Sequence, residues 1–200
     1  IVSFLMLLEE RIAIQNKVIE RYESLIKALY HNLIISPNGT VCHIGDILKI
    51  GSGKDYKHLT AGSVPVFGTG GYMLSVSDWL YEGESVCIGR KGTINKPFYV
   101  DGKFWTVDTL FYTYDFKGVL PKYCYYLFQT IDWLQYNEAS GVPSLSKSTI
   151  EGIQISIPSI DEQAKAVQVL DRVEMAITCR RELSNHDESI KQYLLSQLFI

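Results

Sequence analysis

Gly89-Arg90-Lys91-Gly92-Thr93-Ile94-Asn95-Lys96 packs a guanidinium, two ammonium groups, a hydroxyl and an amide into one glycine-bounded stretch. Lys49, Lys54 and Lys57, with His58 beside them, flank Gly51-Ser52-Gly53, and Lys147 stands among Ser144, Ser146, Ser148 and Thr149. Such sets suit phosphate contact, because cations and main-chain N–H groups approach an anion together at a glycine turn. Arginine, lysine, asparagine and serine also read base edges. Lys54, Lys57, Arg90, Lys91, Lys96 and Lys147 are therefore candidates for phosphate or base contact. Thr69, Tyr72, Thr93, Asn95, Ser144 and Ser146 would supply supporting polar groups. The plain alternative is that these are solvated loop charges.

Other chemistry fits less well. Gly51-Ser52-Gly53-Lys54-Asp55 imitates a phosphate-binding loop, but Leu48 stands where the first glycine is needed and Asp55 where a Ser or Thr must hold magnesium. Gly68-Thr69-Gly70-Gly71-Tyr72-Met73 lacks the third glycine of a dinucleotide loop. Cys42 and His43 are adjacent on an expected strand and so point to opposite faces, which disfavours a thiol–imidazole pair. His31, His43, His58 and His186 have no metal-ligand spacing. A small hydrolase using Cys42 or His58 remains a distant reading. The residues offer binding surfaces rather than a catalytic centre, and no cofactor is expected in the chain itself.

Composition sets the bounds. The chain has 200 residues and a net charge of −3, enough for one domain with appendages and not a polycation that coats nucleic acid indiscriminately. Polyanion binding must come from local patches. Residues 36–158 hold 10 Lys and Arg against 11 Asp and Glu, yet Arg90, Lys91, Lys96 and Lys103 outnumber Asp101. The opening IVSFLMLL lacks a basic lead, runs into Glu9, Glu10 and Arg11, and is far short of a membrane span. A start at Ile1 reads as a fragment or an engineered piece. Cys42, Cys87, Cys124 and Cys179 form no paired motif, which suggests structural thiols in a reduced, cytoplasmic protein.

The elements that must position the cationic turns are legible. Leu5, Leu8, Ile12, Gln15, Ile19, Tyr22, Ile26, Leu29 and Leu33 recur at gaps of three and four, a heptad seam. Ser36-Pro37-Asn38-Gly39 supplies breakers that end this helix. A helix of that length extends roughly 45–50 Å at about 1.5 Å per residue and wants a partner. The partner is expected from Asp161 onward, with Val169, Val173, Ala176, Leu183, Ile190 and Leu194 at heptad-like positions and Arg180 and Asp187 on the same seam. Between the arms lie short strands and turns. Asp101-Gly102 between Phe98-Tyr99-Val100 and Lys103-Phe104-Trp105 suggests a type I′ hairpin. Pro121 suits the first residue of a helix through Tyr136, with Cys124, Leu127, Phe128, Ile131 and Leu134 as its apolar face.

Near the end of this region, Gly141 to Gln163 reads GVPSLSKSTIEGIQISIPSIDEQ. A polar loop leads to a strand with Ile153, Ile155 and Ile157 on one face, Pro158 ends the ladder, and Ser159 with Glu162 forms a helix-starting capping box. The sequence thus predicts an α+β fold: a mixed, β-rich head over 36–158, flanked by long helices over 1–35 and 159–200 that form an antiparallel coiled-coil stalk. The alternative is two unrelated surface helices folded against the head.

The run GVPSLSKSTIEGIQISIPSIDEQ resembles the end of a target-recognition domain in the DNA specificity subunit of type I restriction–modification systems, with the start of its conserved helix. Ile44-Gly45-Asp46-Ile47, VPVFGTGGY and ESVCIGRKGTIN resemble the same domain. LLEERIAIQNKVIERYESLIKALYHNLI resembles the family's central conserved helix, and QYLLSQLF its end. Members usually carry two such heads; this chain is similar to one half, whether a natural half-subunit or a fragment. The resemblance implies a non-catalytic subunit that reads one half of a bipartite target in double-stranded DNA and docks modification (methyltransferase) and restriction subunits. It implies S-adenosylmethionine, ATP and magnesium for those partners only, a homodimer through Leu5, Leu8, Ile12, Ile19, Ile26, Leu29 and Leu33 if the chain is a half-subunit, and no membrane. The rival class is a coiled-coil dimeric adaptor with a protein-binding head.

Overall fold

A computed structural model describes residues 2–35 and 39–198. The chain divides into two compact units, with boundaries between Asn32 and Leu33 and between Val167 and Gln168. One is helical and the other is β-rich.

In the helical unit the first helix, α1, runs Val2–Leu33, and the last, α5, runs Ile160–Leu198. The heptad seam of α1 is where the sequence places it: Leu8, Gln15, Ile19 and Ile26 are buried, while Leu5, Ile12, Tyr22 and Leu29 are half-buried. Leu33 falls in the β-rich unit. The helices run antiparallel, since their polar partners count in opposite directions. Glu9 meets Lys191 at 3.1 Å, Arg11 meets Asp187 at 2.8 Å, Asn16 Oδ1 accepts from Ser184 at 3.1 Å, and Glu23 meets Arg181 at 2.5 Å. Asp187 is 1% exposed, and neither of its carboxylate oxygens receives an aligned hydrogen bond. Its contact with the Arg11 Nε is charge on charge. In α5 the expected positions Val173, Asp187 and Leu194 lie on the seam, but the alternate positions fall one residue later than the sequence-based expectation. Leu170, Ile177 and Ser184 are buried, whereas Val169 and Leu183 are exposed and Ala176 is half-buried. Alternating gaps of three and four starting at Leu170 pass through Val173, Ile177, Ser184, Asp187 and Leu194; the polar occupant Ser184, next to the apolar Leu183, hid this phase. The breaker residues Ser36, Pro37 and Asn38 lie outside the described residues.

Among the described residues the β-rich unit holds three sheets. Strands β1 (Thr40–His43), β2 (Lys49–Ser52), β3 (Ala61–Gly68), β4 (Gly71–Val76) and β5 (Tyr81–Glu82) come first. A one-turn helix, α2 (Ile44–Ile47), separates β1 from β2. Then follow β6 (Ser85–Gly89), β7 (Phe98–Val100), β8 (Lys103–Thr106) and β9 (Leu110–Tyr114), with β10 (Gln154–Ile157) returning late to pair antiparallel with β1. The larger sheets have the orders β2-β9-β6-β7 and β4-β3-β8-β5. Their interiors are Cys87, Val100, Phe104 and Leu110 in one cluster and Val64, Val66, Val76 and Trp105 in another. Ser85 and Thr113, both fully buried, complete the β6–β9 ladder with their hydroxyls: Val86 N donates to Thr113 Oγ1 at 2.8 Å and Thr113 N to Ser85 Oγ at 3.0 Å.

The expected hairpin at Asp101-Gly102 is not one. β7 pairs with β6, and β8 with β3 and β5, so this turn carries the chain from one sheet to the other. Gly102 has φ +95° while Asp101 is not among the positive-φ residues, so the type I′ geometry is absent. The expected helix to Tyr136 also stops early. α3 spans Pro121–Thr130, and a 3-10 turn follows over Trp133–Tyr136, with Asp132 accepting from Leu134 N. Leu134 is 55% exposed, and Trp133 takes the buried position instead, its indole N–H donating to Phe128 O at 2.9 Å. In the last expected loop, Lys147–Glu151 form a short helix, α4, capped by Ser146. The capping box of α5 is present: Ser159 N donates to Glu162 Oε2 at 3.0 Å, and the Ser159 contacts hold that carboxyl below its ordinary range. No helix among the described residues is long and apolar enough to cross a membrane.

Candidate nucleic-acid interface

The turn after β6 is tied down from two sides. Arg90 N and Lys91 N both donate to Thr109 O, at 2.8 and 3.2 Å. Gly92 N donates to Pro143 O at 2.8 Å, Leu145 N to Arg90 O at 2.9 Å, and Lys91 bridges Ser144 in antiparallel fashion. Gly92 has φ +101°, a conformation that would strain any side chain. The stretch Pro143–Lys147 is thereby laid alongside Arg90-Lys91. Arg90 and Lys147 each stand 6.0 Å from the centre of the Phe111 ring, so cations far apart in sequence approach one aromatic ring.

These residues border an open cleft of about 880 Å³ whose walls include Arg90, Lys91, Ser144, Ser146 and Lys147. Glu138 pins the wall in place. Its Oε1 accepts from Ser146 N at 3.1 Å, from Ser146 Oγ at 2.7 Å and from the Thr149 hydroxyl. Those hydrogen bonds, Thr149 first, hold the Glu138 carboxyl below its usual range. Beside it lies a second cleft of about 380 Å³ that includes Asp55, Lys57 and Asp108; Asp108 lines both.

Charge pairing separates two classes of cation. Lys49 and Lys117 contact Asp115 at 2.7 and 3.9 Å, and Lys103 contacts Glu82 at 3.8 Å while sitting 3.7 Å over the Trp79 ring. The mutual hydrogen bond lowers the Asp115 carboxyl and raises the Lys49 ammonium. Among the described residues, Lys54, Lys57, Arg90, Lys91, Lys96 and Lys147 make no ion pair.

The remaining sequence candidates are more dispersed. Thr69 lies in the β3–β4 turn, its Oγ1 3.6 Å from where a Cβ on Gly92 would stand. Tyr72 is 63% exposed, edge-on to Phe67 and sharing a 3.2 Å hydrogen bond with Ser75. Thr93 is half-buried and lends its carbonyl to the packing of Gly89. Lys54 is exposed, its main chain fixed by Thr106 O and by the Trp105 indole N–H. Asn95 and Lys96 are exposed but border neither cleft. Sequence reasoning missed Asp108, Thr109, Phe111 and Glu138, which assemble the site from the turn before β9, β9 itself and the segment after the 3-10 turn. Only an unattributed carboxylate shortly before the Ser144 loop hinted at Glu138's role. The imitation phosphate loop begins as the end of strand β2 and leaves it after Ser52, and Gly53 is there because a Cβ would stand 1.9 Å from Val107 O.

Alternative chemistry has little footing. Burial, and then Asp46, push the Cys42 thiol up, the opposite of what a thiolate nucleophile needs. Cys87 and Cys124 are buried with thiols also raised by desolvation. Among the described residues no group of three or more His, Cys, Asp or Glu could hold a metal ion.

An antiparallel helix pair joined to a β-rich unit with a cationic cleft defines the class. The type I restriction modification DNA specificity domain matches residues 38–186, and the chain belongs to that family. The EcoprrI specificity subunit of a type I restriction enzyme from Escherichia coli is 22% identical over 152 residues, which cover 70% of this chain and 37% of that protein. The S subunit of a type I restriction-modification system from M. genitalium superposes with a TM-score of 0.78 at 18% identity, covering 98% of this chain and 59% of that one. A chain from a structure concerned with complex assembly and conformational transition of the type I R-M system gives 0.69 at 14% identity, with 99% and 57% covered. The chain thus spans well under two thirds of each relative.

Proposed function

We propose that this chain is a non-catalytic reader of double-stranded DNA that recognises one half of a bipartite target for a type I restriction–modification complex. The observation that carries the reading is the gathering of unpaired Arg90, Lys91 and Lys147, with Ser144 and Ser146, around one open cleft. Cations on phosphates would set register, and hydroxyls and guanidinium on base edges would set sequence. Lys57 and Lys54 would extend the contact from the neighbouring cleft, with Thr69, Tyr72, Thr93, Asn95 and Lys96 as flanking groups. Methyl transfer and cleavage, with S-adenosylmethionine, ATP and magnesium, belong on this reading to partner subunits in the cytoplasm.

Residues 36–158 would act as the recognition domain and the helices over 1–35 and 159–200 as docking and spacing elements. Because Leu8, Ile19 and Ile26 are already buried, a second copy or a partner subunit would use other positions on the helices. Leu7, Ile14 and Leu25 on α1 and Met175 and Tyr193 on α5 remain exposed and suit that role.

Duplex affinity titrated against salt tests the proposal. Replacing Arg90, Lys91 and Lys147 together by alanine should flatten the slope of log affinity against log salt by about 0.9 for each phosphate no longer neutralised. Undiminished binding by that variant would remove the site. Dimerisation without any salt-sensitive duplex affinity would favour the protein-binding adaptor instead.

A further inference from the structure

We propose that Asp108 determines specificity: its carboxylate accepts a hydrogen bond from the exocyclic amino group of a base, cytosine N4 above all, on duplex held in the cationic cleft. The inference rests on the duplex-reading function proposed above and assigns one of its contacts. Three carboxylates line the two clefts, Asp55, Asp108 and Glu138. Glu138 is consumed by Ser146 and Thr149, and Asp55 accepts from Lys57 N at 3.3 Å. Among the described residues nothing engages the Asp108 carboxylate: Arg90 Nη1 reaches the Asp108 main-chain oxygen, at 3.4 Å, and leaves the side chain free.

The platform beneath Asp108 is rigid. Val107 N donates to Phe67 O at 3.0 Å, Leu110 N to Val107 O at 2.9 Å, Lys54 N to Thr106 O at 2.8 Å and Gly53 N to Leu110 O at 3.0 Å. An unpaired carboxylate on a fixed main chain among cations opposes phosphate, so it weakens binding to arbitrary duplex. It becomes favourable only where a donor meets it, and in the major groove the donors are cytosine N4 and adenine N6. With Arg90 beside it as donor, the pair matches the acceptor and donor edges of a G·C pair. A group that penalises all sequences and is relieved by one raises discrimination from both directions.

The test is selection from a pool of randomised duplexes by the full chain, followed by sequencing of the bound fraction, for wild type, Asp108→Ala and Asp108→Asn. Wild type should enrich a motif with a fixed cytosine. Asp108→Ala should lose discrimination at that position by roughly five- to 150-fold, the equivalent of about 1–3 kcal/mol, with other positions kept. Affinity for unselected duplex should rise at the same time. Asp108→Asn, nearly isosteric and a check on folding, should shift the position towards adenine. If both variants keep every position as sharp as wild type, Asp108 merely repels phosphate and the assignment is overturned. A wild-type chain that enriches no motif overturns the duplex-reading function itself, and this inference with it.

Discussion

Across the two helices, partners can be counted off along the chain: Glu9 with Lys191, Arg11 with Asp187, Asn16 with Ser184, each step forward on α1 being a step back on α5. In the β-rich unit, Gly53 lies against Val107, Arg90 hangs from Thr109 and Glu138 reaches Thr149, at sequence gaps that follow no period. The first region is stabilised by repetition, so each pairing has near-equivalents along the seam. The second depends on single fits that nothing nearby can replace. The region proposed to read sequence is the one whose parts are not interchangeable.

Paired truncations in the two cores probe that contrast most strongly. Trp133→Ala removes a ring that is 1% exposed and packed against Phe128, and should cost about 3–5 kcal/mol. Ile19→Ala, in the seam, should cost about 2–5 kcal/mol but fall towards the lower end, because a two-helix seam can close around the gap. Denaturant unfolding of both variants measures the difference; a seam truncation as costly as Trp133→Ala would erase the distinction. Gly53→Ala should come next, costing about 1–3 kcal/mol, since the added carbon meets main-chain Val107 O and not a side chain that can swing away. A neutral result would mean that the β2–β9 junction is more yielding than the single-fit picture allows.

The smallest effect is a local one in pH. Glu138 has its folded pKa held down by Thr149 and Ser146, so its contribution is fully present above the ordinary carboxylate value of about 4.3 and is lost as pH falls through the depressed folded value. The hydrogen-exchange protection of the Ser146 amide, taken relative to its intrinsic rate at each pH, should therefore fall on acidification in that range. Glu138→Gln should remove this pH dependence while leaving exchange in the helices unchanged. If the glutamine variant titrates like wild type, another group holds the segment.

The same contrast decides what could be read in advance. The α1 seam, the alternation of Ile153, Ile155 and Ile157, and the Ser159–Glu162 cap were legible because each is a local pattern with one physical cause. Alternate positions of the α5 seam slipped by a residue because Ser184 occupies a buried position that a hydrophobic count passes over in favour of Leu183, which is exposed. The Asp101-Gly102 turn has the composition of a hairpin, but Phe98–Val100 and Lys103–Thr106 each had better partners in separate sheets, and pairing choice is not local. Arg90, Lys91 and Lys147 could be proposed from charge and glycine, yet that Arg90 and Lys147 share Phe111 follows from the β6–β9 pairing and the Lys91–Ser144 bridge. Gln163 reads in sequence only as one more residue at the start of α5. It is fully buried and satisfies Leu120 N, Gly118 O and Pro158 O at once, a role that no spacing announces.

The polar belt where Arg11, Gln15 and Asn16 face Asp187, Arg180 and Ser184 has a consequence for how such a molecule can change length. Adding a whole heptad to each helix preserves the phase of every pairing on either side of the insertion. Adding a lone residue to one helix rotates Asp187 away from Arg11 and leaves a buried charge without its counterion. A change of length that keeps these pairings thereby comes in quantised increments, like teeth on a ratchet.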